Sequence, residues 1–83
     1  MPSSSAIVIP GSGAWHPALT GPGTWLVTGN DNFDYCWAEG APSPALPGHF
    51  RLARIDLVVR LLSGEQLYVR AQRPMTLTAT AEA

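Results

Sequence analysis

The sequence predicts an all-β fold: a compact, mainly antiparallel β-sandwich or small barrel of six to eight short strands. The first observation is the alternation of apolar with other residues, which is clearest over 57–61, 67–71 and 75–80. Turn-forming residues separate these stretches, as is typical between half-buried strands. The second observation is that no segment predicts an amphipathic helix. Without crossover helices the strands must pair mainly antiparallel.

Residues 1–13 are expected to form an extended N-terminal arm, and residues 14–83 a single domain. Within the arm, residues 6–9 (Ala-Ile-Val-Ile) form a short apolar run that Pro10 closes. Such a run suits an edge strand, or an arm that pairs with a neighbouring molecule. The many glycines and prolines of residues 11–23 indicate a loop.

The middle of the chain predicts a hairpin followed by a loop. Residues 24–28 and 33–38 are predicted strands, and residues 29–32 between them (Gly-Asn-Asp-Asn) tolerate the positive φ of a tight turn. Residues 40–48 contain three prolines, which remove backbone donors and disfavour helix. We therefore expect the two strands to pair directly and the proline-rich stretch to be irregular.

Residues 49–62 are the one stretch without Gly or Pro that is long enough for a helix. On a helix, Arg51 and Arg54 would lie on one side and Asp56 and Arg60 on nearly the opposite side, which is not an amphipathic arrangement. As strand, the apolar alternation changes phase near Arg54. We therefore expect strand, interrupted there by a bend, bulge or tight turn.

The low charge of the chain indicates an interface. Only 13% of the residues are charged, against about 25% in average soluble domains, and there is no Lys. Interface cores are poor in charge but accept Arg, so an oligomer or a docked component is expected. The alternative is that Ser, Thr, Gly and Pro supply the polar surface.

The charge is also divided along the chain. Residues 1–50 hold three acidic and no basic residues (net −3), and residues 51–83 hold five Arg against three acidic residues (net +2). This imbalance is too weak for a nucleic-acid partner, which requires a clustered basic face. No signal peptide and no membrane span are predicted, and we expect a protein made in a cytoplasm.

Few residues could carry chemistry. The candidates for metal binding or acid–base work are His16, His49, Cys36, Asp31 and Asp34, and none falls at a ligand spacing. As the single cysteine, Cys36 cannot form an intramolecular disulfide, and as a nucleophile it would need His49 beside it. We therefore expect no cofactor, no metal and no enzymatic activity.

Five aromatic residues lie close together in the sequence, and they suggest two different roles. Alternation places Phe33, Tyr35 and Trp37 on one face, and Trp15 and Trp25 precede them. A small domain needs such side chains in its core. If the tryptophans were exposed, the chain could instead be a carbohydrate-binding module.

Three segments between residues 23 and 80 form a pattern. The first is Gly23-Thr24-Trp25-Leu26-Val27-Thr28, an aromatic strand before a polar turn. The second is residues 61–70 (Leu-Leu-Ser-Gly-Glu-Gln-Leu-Tyr-Val-Arg), which has the form of a hairpin, and the third is the Thr-rich strand of residues 76–80. Together these segments resemble small structural proteins of tailed bacteriophages, and the similarity extends over residues 23–80.

The resemblance implies a virion component without an active site: a capsid decoration (cement, minor capsid) protein, a head fibre, or a small tail or neck component. It also implies a homo-oligomer, often a trimer, that binds the major capsid protein or other virion proteins. A small regulator of a host protein is a further alternative. The candidate interface residues are Ile7, Val8 and Ile9 in the arm, and Arg51, Arg54, Arg60 and Arg73 for ion pairs.

Overall fold

Strands and turns make up the chain in a computed structural model that describes residues 4–82. Within that range the model has eight strands and no helix. The strands are β1 (Ser4–Ile9), β2 (His16–Thr20), β3 (Gly23–Gly29), β4 (Phe33–Ala38), β5 (His49–Arg51), β6 (Leu57–Leu61), β7 (Gln66–Arg70) and β8 (Met75–Ala81). The predicted all-β class is confirmed.

The strands form two four-stranded sheets. The front sheet has the order β1-β8-β3-β6, and the back sheet has the order β2-β7-β4-β5. Every pair of neighbouring strands is antiparallel. The predicted sandwich is therefore the observed architecture, with a strand count at the upper end of the expected range.

The connections give this sandwich the topology of a jelly roll. Within the described chain, consecutive strands alternate between the two sheets, with β4 and β5 as the exception. This strand order is that of the eight-stranded jelly roll, in which two Greek keys interlock. Most turns thus lead across the sandwich rather than back along the same sheet.

Two predicted hairpins are wrong for this reason. The strands over 24–28 and 33–38 lie in different sheets. The segment 61–70 likewise joins β6 of the front sheet to β7 of the back sheet. After β3 the chain is tied to β8, because Asn30 N–H donates to the Thr76 carbonyl (3.2 Å) and Asn30 Oδ1 accepts from Thr76 N–H (3.0 Å). These bonds direct the chain toward the other sheet.

The turn after β6 crosses the sandwich in the same way. The Leu62 N–H donates to Glu65 Oε1 (2.6 Å) and the Glu65 N–H donates to the Leu62 carbonyl (3.0 Å). Gly64 has a φ of 87°, which L-residues rarely adopt. The Gly21 N–H donates to the Glu65 carbonyl (2.8 Å), so this turn is joined to the short connection between β2 and β3.

Of the two possibilities that the sequence leaves open for residues 6–9, the structure has the edge strand. β1 pairs with β8 from Ser4 opposite Thr80 to Ile9 opposite Met75. Ile9 is fully buried, because the alternation of this strand turns it toward the core. Of the arm over 1–13 that the sequence predicts, residues 4–9 belong to the front sheet. Residues 1–3 lie outside the described residues.

The predicted loop over 11–23 contains a strand, β2. Its Pro17 lacks a backbone donor, and the sequence pattern therefore indicated a loop. In the structure β2 is an edge strand, where a proline is tolerated. The register on β7 shifts between Pro17 and Leu19.

The predicted interruption near Arg54 is confirmed. β5 ends at Arg51 and β6 begins at Leu57. Between them Arg54 has a φ of 63°, in the left-handed region. Its N–H donates to the Gly29 carbonyl (2.9 Å), so this tight turn is tied to the end of β3.

The core lies between the two sheets and is made of the inward positions of six strands and the residue after β7. It carries no buried charged side chain among the residues described. Each fully buried Val, Leu, Ile or Phe contributes about 1.5–3 kcal/mol relative to exposure. The residues of the core are Ile9, Val27, Phe33, Leu57, Val59, Leu61, Leu67, Val69, Ala71, Met75, Leu77 and Ala79.

Candidate functional site

The outer face of the back sheet is organised by Arg70, on β7. Its Nη2 and Nε both donate to Asp34 Oδ2, at 3.0 and 3.2 Å. Its guanidinium carbon lies 4.3 Å from the centre of the Trp15 ring, a cation–π geometry. Because the Arg70 side chain is only 15% exposed, this ion pair is less screened by water than a surface pair.

The same guanidinium holds the proline-rich loop of residues 40–48. Nη1 donates to the carbonyls of Pro44 (3.4 Å) and Leu46 (3.2 Å), and Nη2 donates to the carbonyl of Pro47 (3.0 Å). Gly48, with a φ of 65°, closes the loop against the indole of Trp15, and there is no room there for a Cβ. The loop's own turn is closed by the Leu46 N–H, which donates to the Ser43 carbonyl (3.0 Å), and Arg70 fixes this turn against the back sheet.

Cys36 and His49 do not form a catalytic pair. Cys36 pairs with Tyr68 on the outer face of the back sheet, whereas His49 pairs with Tyr35, whose side chain packs against the core. Adjacent strand positions point to opposite faces, so the two side chains are on opposite sides of the sheet. Burial raises the pKa of the Cys36 thiol, and the nearby Arg70 charge offsets part of this rise. The thiol therefore stays protonated at neutral pH.

The acidic candidates are engaged with arginines. Asp34 pairs with Arg70 and Asp31 with Arg73, each at 3.0 Å. Both pairs line one open cleft of about 250 Å³ at the end of the back sheet. Residues 4–82 contain no group of three or more His, Cys, Asp or Glu side chains that could hold a metal ion.

An aromatic platform lies at the open side of the sandwich, between β4 and β6. We define it as Tyr35, Trp37 and His49. The Trp37 ring stacks on His49, with centres 5.8 Å apart and planes at 16°, and on Tyr35 at 6.2 Å and 22°. Trp37 is 52% exposed, whereas Trp15 and Trp25 are half-buried. A groove of about 150 Å³ runs beside the platform, toward Val58 and Arg60 of β6.

The outer face of the front sheet is uncharged over β1 and β8. β1 presents Ser4, Ala6 and Val8, which pair with three threonines of β8: Thr80, Thr78 and Thr76. The Ser4 and Thr80 hydroxyls are 2.7 Å apart and share a hydrogen bond. In the described structure β1 has one neighbouring strand, β8. Its other edge is therefore free to pair with a strand of another molecule.

The seven predicted interface residues fall into different environments. Ile9 is in the core and Ile7 packs against it, so of the apolar three Val8, at 70% exposure, is the one on the surface. Arg73 pairs with Asp31 within the chain. Arg51 is partly buried, with its Nε lacking a hydrogen-bond partner among the described residues. Arg54 and Arg60 are exposed.

Nothing in the sequence distinguishes Arg70 from the other arginines. In the sequence it is one more arginine on an alternating strand, as Arg60 is. Its importance comes from Asp34 and the loop carbonyls, which are 23 to 36 positions away. No local signal predicts such contacts.

No protein family, curated protein or solved structure matches this chain. Over residues 4–82, no helix has the length and apolar character that crossing a membrane requires.

Proposed function

We propose that this protein is a structural component of a tailed-phage virion, a decoration protein that binds and stabilises the capsid shell. The resemblance over residues 23–80 supports the class. The free, uncharged β1 edge is the observation that supports the mode of action. The proposal places the protein on the virion, after synthesis in the host bacterium.

The contact would be strand addition to β1. Main-chain hydrogen bonds to an exposed edge give affinity without a pocket, and the alternate side chains give specificity. Val8, Ala6 and Ser4 would face the shell together with the β8 threonines, and this surface has no charge to desolvate. A stable contact covers about 800 Å² on each partner. The resemblance implies several associated copies, and such an oligomer would clamp several shell subunits.

The test is co-sedimentation with shells assembled from the major capsid protein of the same phage, without decoration. We expect saturable binding that V8K weakens by about 10- to 100-fold, because a lysine on the edge opposes strand pairing. The matched control is L46K, a change at an exposed apolar residue of the loop on the other sheet. Absence of wild-type binding, or equal weakening by L46K, contradicts the proposal.

Truncation is a poor test of β1 in this fold. Removal of residues 1–10 would take Ile9 out of the core and uncover Met75 and Leu77 on β8. Any loss of binding would then follow from unfolding. Val8 is 70% exposed, so V8K leaves the packing of the sandwich unchanged.

The aromatic platform favours a second candidate function, carbohydrate binding. Stacked, half-exposed rings such as Trp37 on His49 can carry the apolar face of a sugar. We would titrate the protein with cello-, chito- and xylo-oligosaccharides and follow tryptophan fluorescence. A saturable change that is lost in W37A, with Trp15 and Trp25 unaltered, supports this function, and no change in any titration excludes it for these sugars.

A further inference from the structure

We propose that β6 is a self-association edge, through which two copies of this chain pair antiparallel about a two-fold axis at Val58. The two front sheets would join into one continuous sheet. This contact uses the edge of the front sheet opposite to β1. It is therefore independent of the proposed binding to a capsid shell.

The four edge strands of the described chain differ in how they are protected. β2 carries Pro17 and an irregular register, and β5 has three residues with Arg51 turned toward the interior. Prolines, irregularities, very short edges and inward charges are devices that prevent strand pairing. β1 and β6 have a regular register and none of these devices. β6 does carry one outward charge, Arg60, which opposes pairing unless the added strand supplies an acidic partner.

Exposed apolar side chains are concentrated around β6. Of the nine large exposed hydrophobics among the described residues, six lie on β6, on its neighbour β3, in the segments before and after β6, or on β4 across the groove from β6. Val58, at 66% exposure, lies on the edge strand itself. The others are Leu26, Trp37, Leu52, Ile55 and Leu62. A regular apolar edge of this kind favours pairing with a further strand.

The residues of this edge are complementary to themselves, which identifies the partner as a second copy. When Val58 pairs with Val58 of an antiparallel copy, Asp56 lies opposite Arg60, and this pair occurs twice by symmetry. Leu57 then lies opposite Val59, with both facing the core side. Opposite charges directly across an antiparallel pair are stabilising.

Both charges are placed for such a contact. Arg60 is exposed and pairs within the front sheet with Thr24. Asp56 is exposed, and its Oδ1 accepts from the Thr28 hydroxyl at 2.6 Å, which holds the carboxylate on the same outer face. The second carboxylate oxygen can accept from a guanidinium.

Neighbouring registers are less favourable. Moving the axis to Val59 places Arg60 opposite Val58 and leaves both charges without a partner directly across. Moving it to Arg60 places the two Arg60 side chains opposite each other. Like charges across a pair are destabilising, so the Val58 register is selected.

The test is the mass of the purified chain by sedimentation equilibrium. We expect about twice the 8.8 kDa of one chain. R60D should weaken dimerisation by about 100-fold, since two attractive pairs become two Asp–Asp repulsions. The double variant D56R/R60D should restore it, because each charge pair is then re-formed with the residues exchanged.

The matched control is R54D, which changes an exposed arginine outside the paired stretch by the same charge. It should leave the dimer intact, and circular dichroism checks that all variants are folded. If R60D or D56R/R60D does not fold, V58K, a change at an exposed residue of β6, is used instead and should give a monomer. A monomeric or trimeric wild type, a dimer unaffected by R60D and V58K, or no rescue in a folded double variant overturns the proposal.

Discussion

The guanidinium of Arg70 joins parts of the chain that are distant in sequence. Asp34 lies 36 positions before it, and the carbonyls of the proline-rich loop lie 23 to 26 positions before it. Charge-assisted hydrogen bonds to a mostly covered group contribute more than exposed ones. We therefore assign Arg70 a structural role, in contrast to the exposed arginines.

Replacing Arg70 by Ala should lower the free energy of unfolding by about 2–3 kcal/mol, since Asp34 and three carbonyls lose a charged donor. In a domain of this size the melting temperature should fall by about 10 °C or more. The control is R73A, whose side chain is 75% exposed in its pair with Asp31 and which should cost less than about 1 kcal/mol. Equal losses in the two variants, measured by thermal and urea unfolding, would show that Arg70 is an ordinary surface arginine.

The sequence could show which residues point outward but not which of them meet. Alternation correctly separates Leu67 and Val69 from Arg70. It contains no information on Asp34, because that contact depends on how β4 is placed beside β7 in the back sheet. Arg70 could therefore be found only in the folded structure.

Among the elements, the turn between β5 and β6 explains why the apolar alternation of the sequence changes phase near Arg54. The alternation slips at a residue with positive φ, Arg54, and the slip lets the chain leave the back sheet and enter the front one. A left-handed conformation costs an L-residue about 1–2 kcal/mol. This turn therefore holds strain that a glycine would not have.

R54G should raise the free energy of unfolding by about 0.5–1 kcal/mol, because relief of the left-handed conformation exceeds the entropy cost of Gly. The control is A53G at the neighbouring residue, which is outside the left-handed region and should lose about 0.4–1 kcal/mol. Urea unfolding of both variants decides the sign. A loss in R54G as large as that in A53G would mean that the turn holds no such strain.

The hairpin predictions failed for a reason that also concerns the elements. A strand, a short turn and a strand form the same sequence pattern whether the second strand returns beside the first or crosses to the opposite sheet. Here the crossing after β3 depends on the bonds between Asn30 and Thr76, which are 46 positions apart. Strand existence was therefore predictable from local alternation, whereas pairing was not.

In the whole molecule, the few charged residues leave uncharged and apolar side chains exposed at the edges of the front sheet. The front sheet has an uncharged edge strand at β1, and its other edge strand, β6, presents the exposed Val58 and Arg60. On the outer face of the back sheet Arg70 holds the proline-rich loop. The low charge predicts an interface, which stays a prediction. Composition alone cannot say where it would lie, because the position of an edge follows from the strand order.

Strand addition from the capsid shell to β1 is tested most directly by hydrogen exchange of the protein, free and bound to undecorated shells. Amides of Ser4–Ile9 that do not bond to β8 should exchange more slowly on binding, while exchange in the loop of residues 40–48 should be unchanged. Shell binding with unchanged exchange in β1, and new protection on another strand, would contradict it.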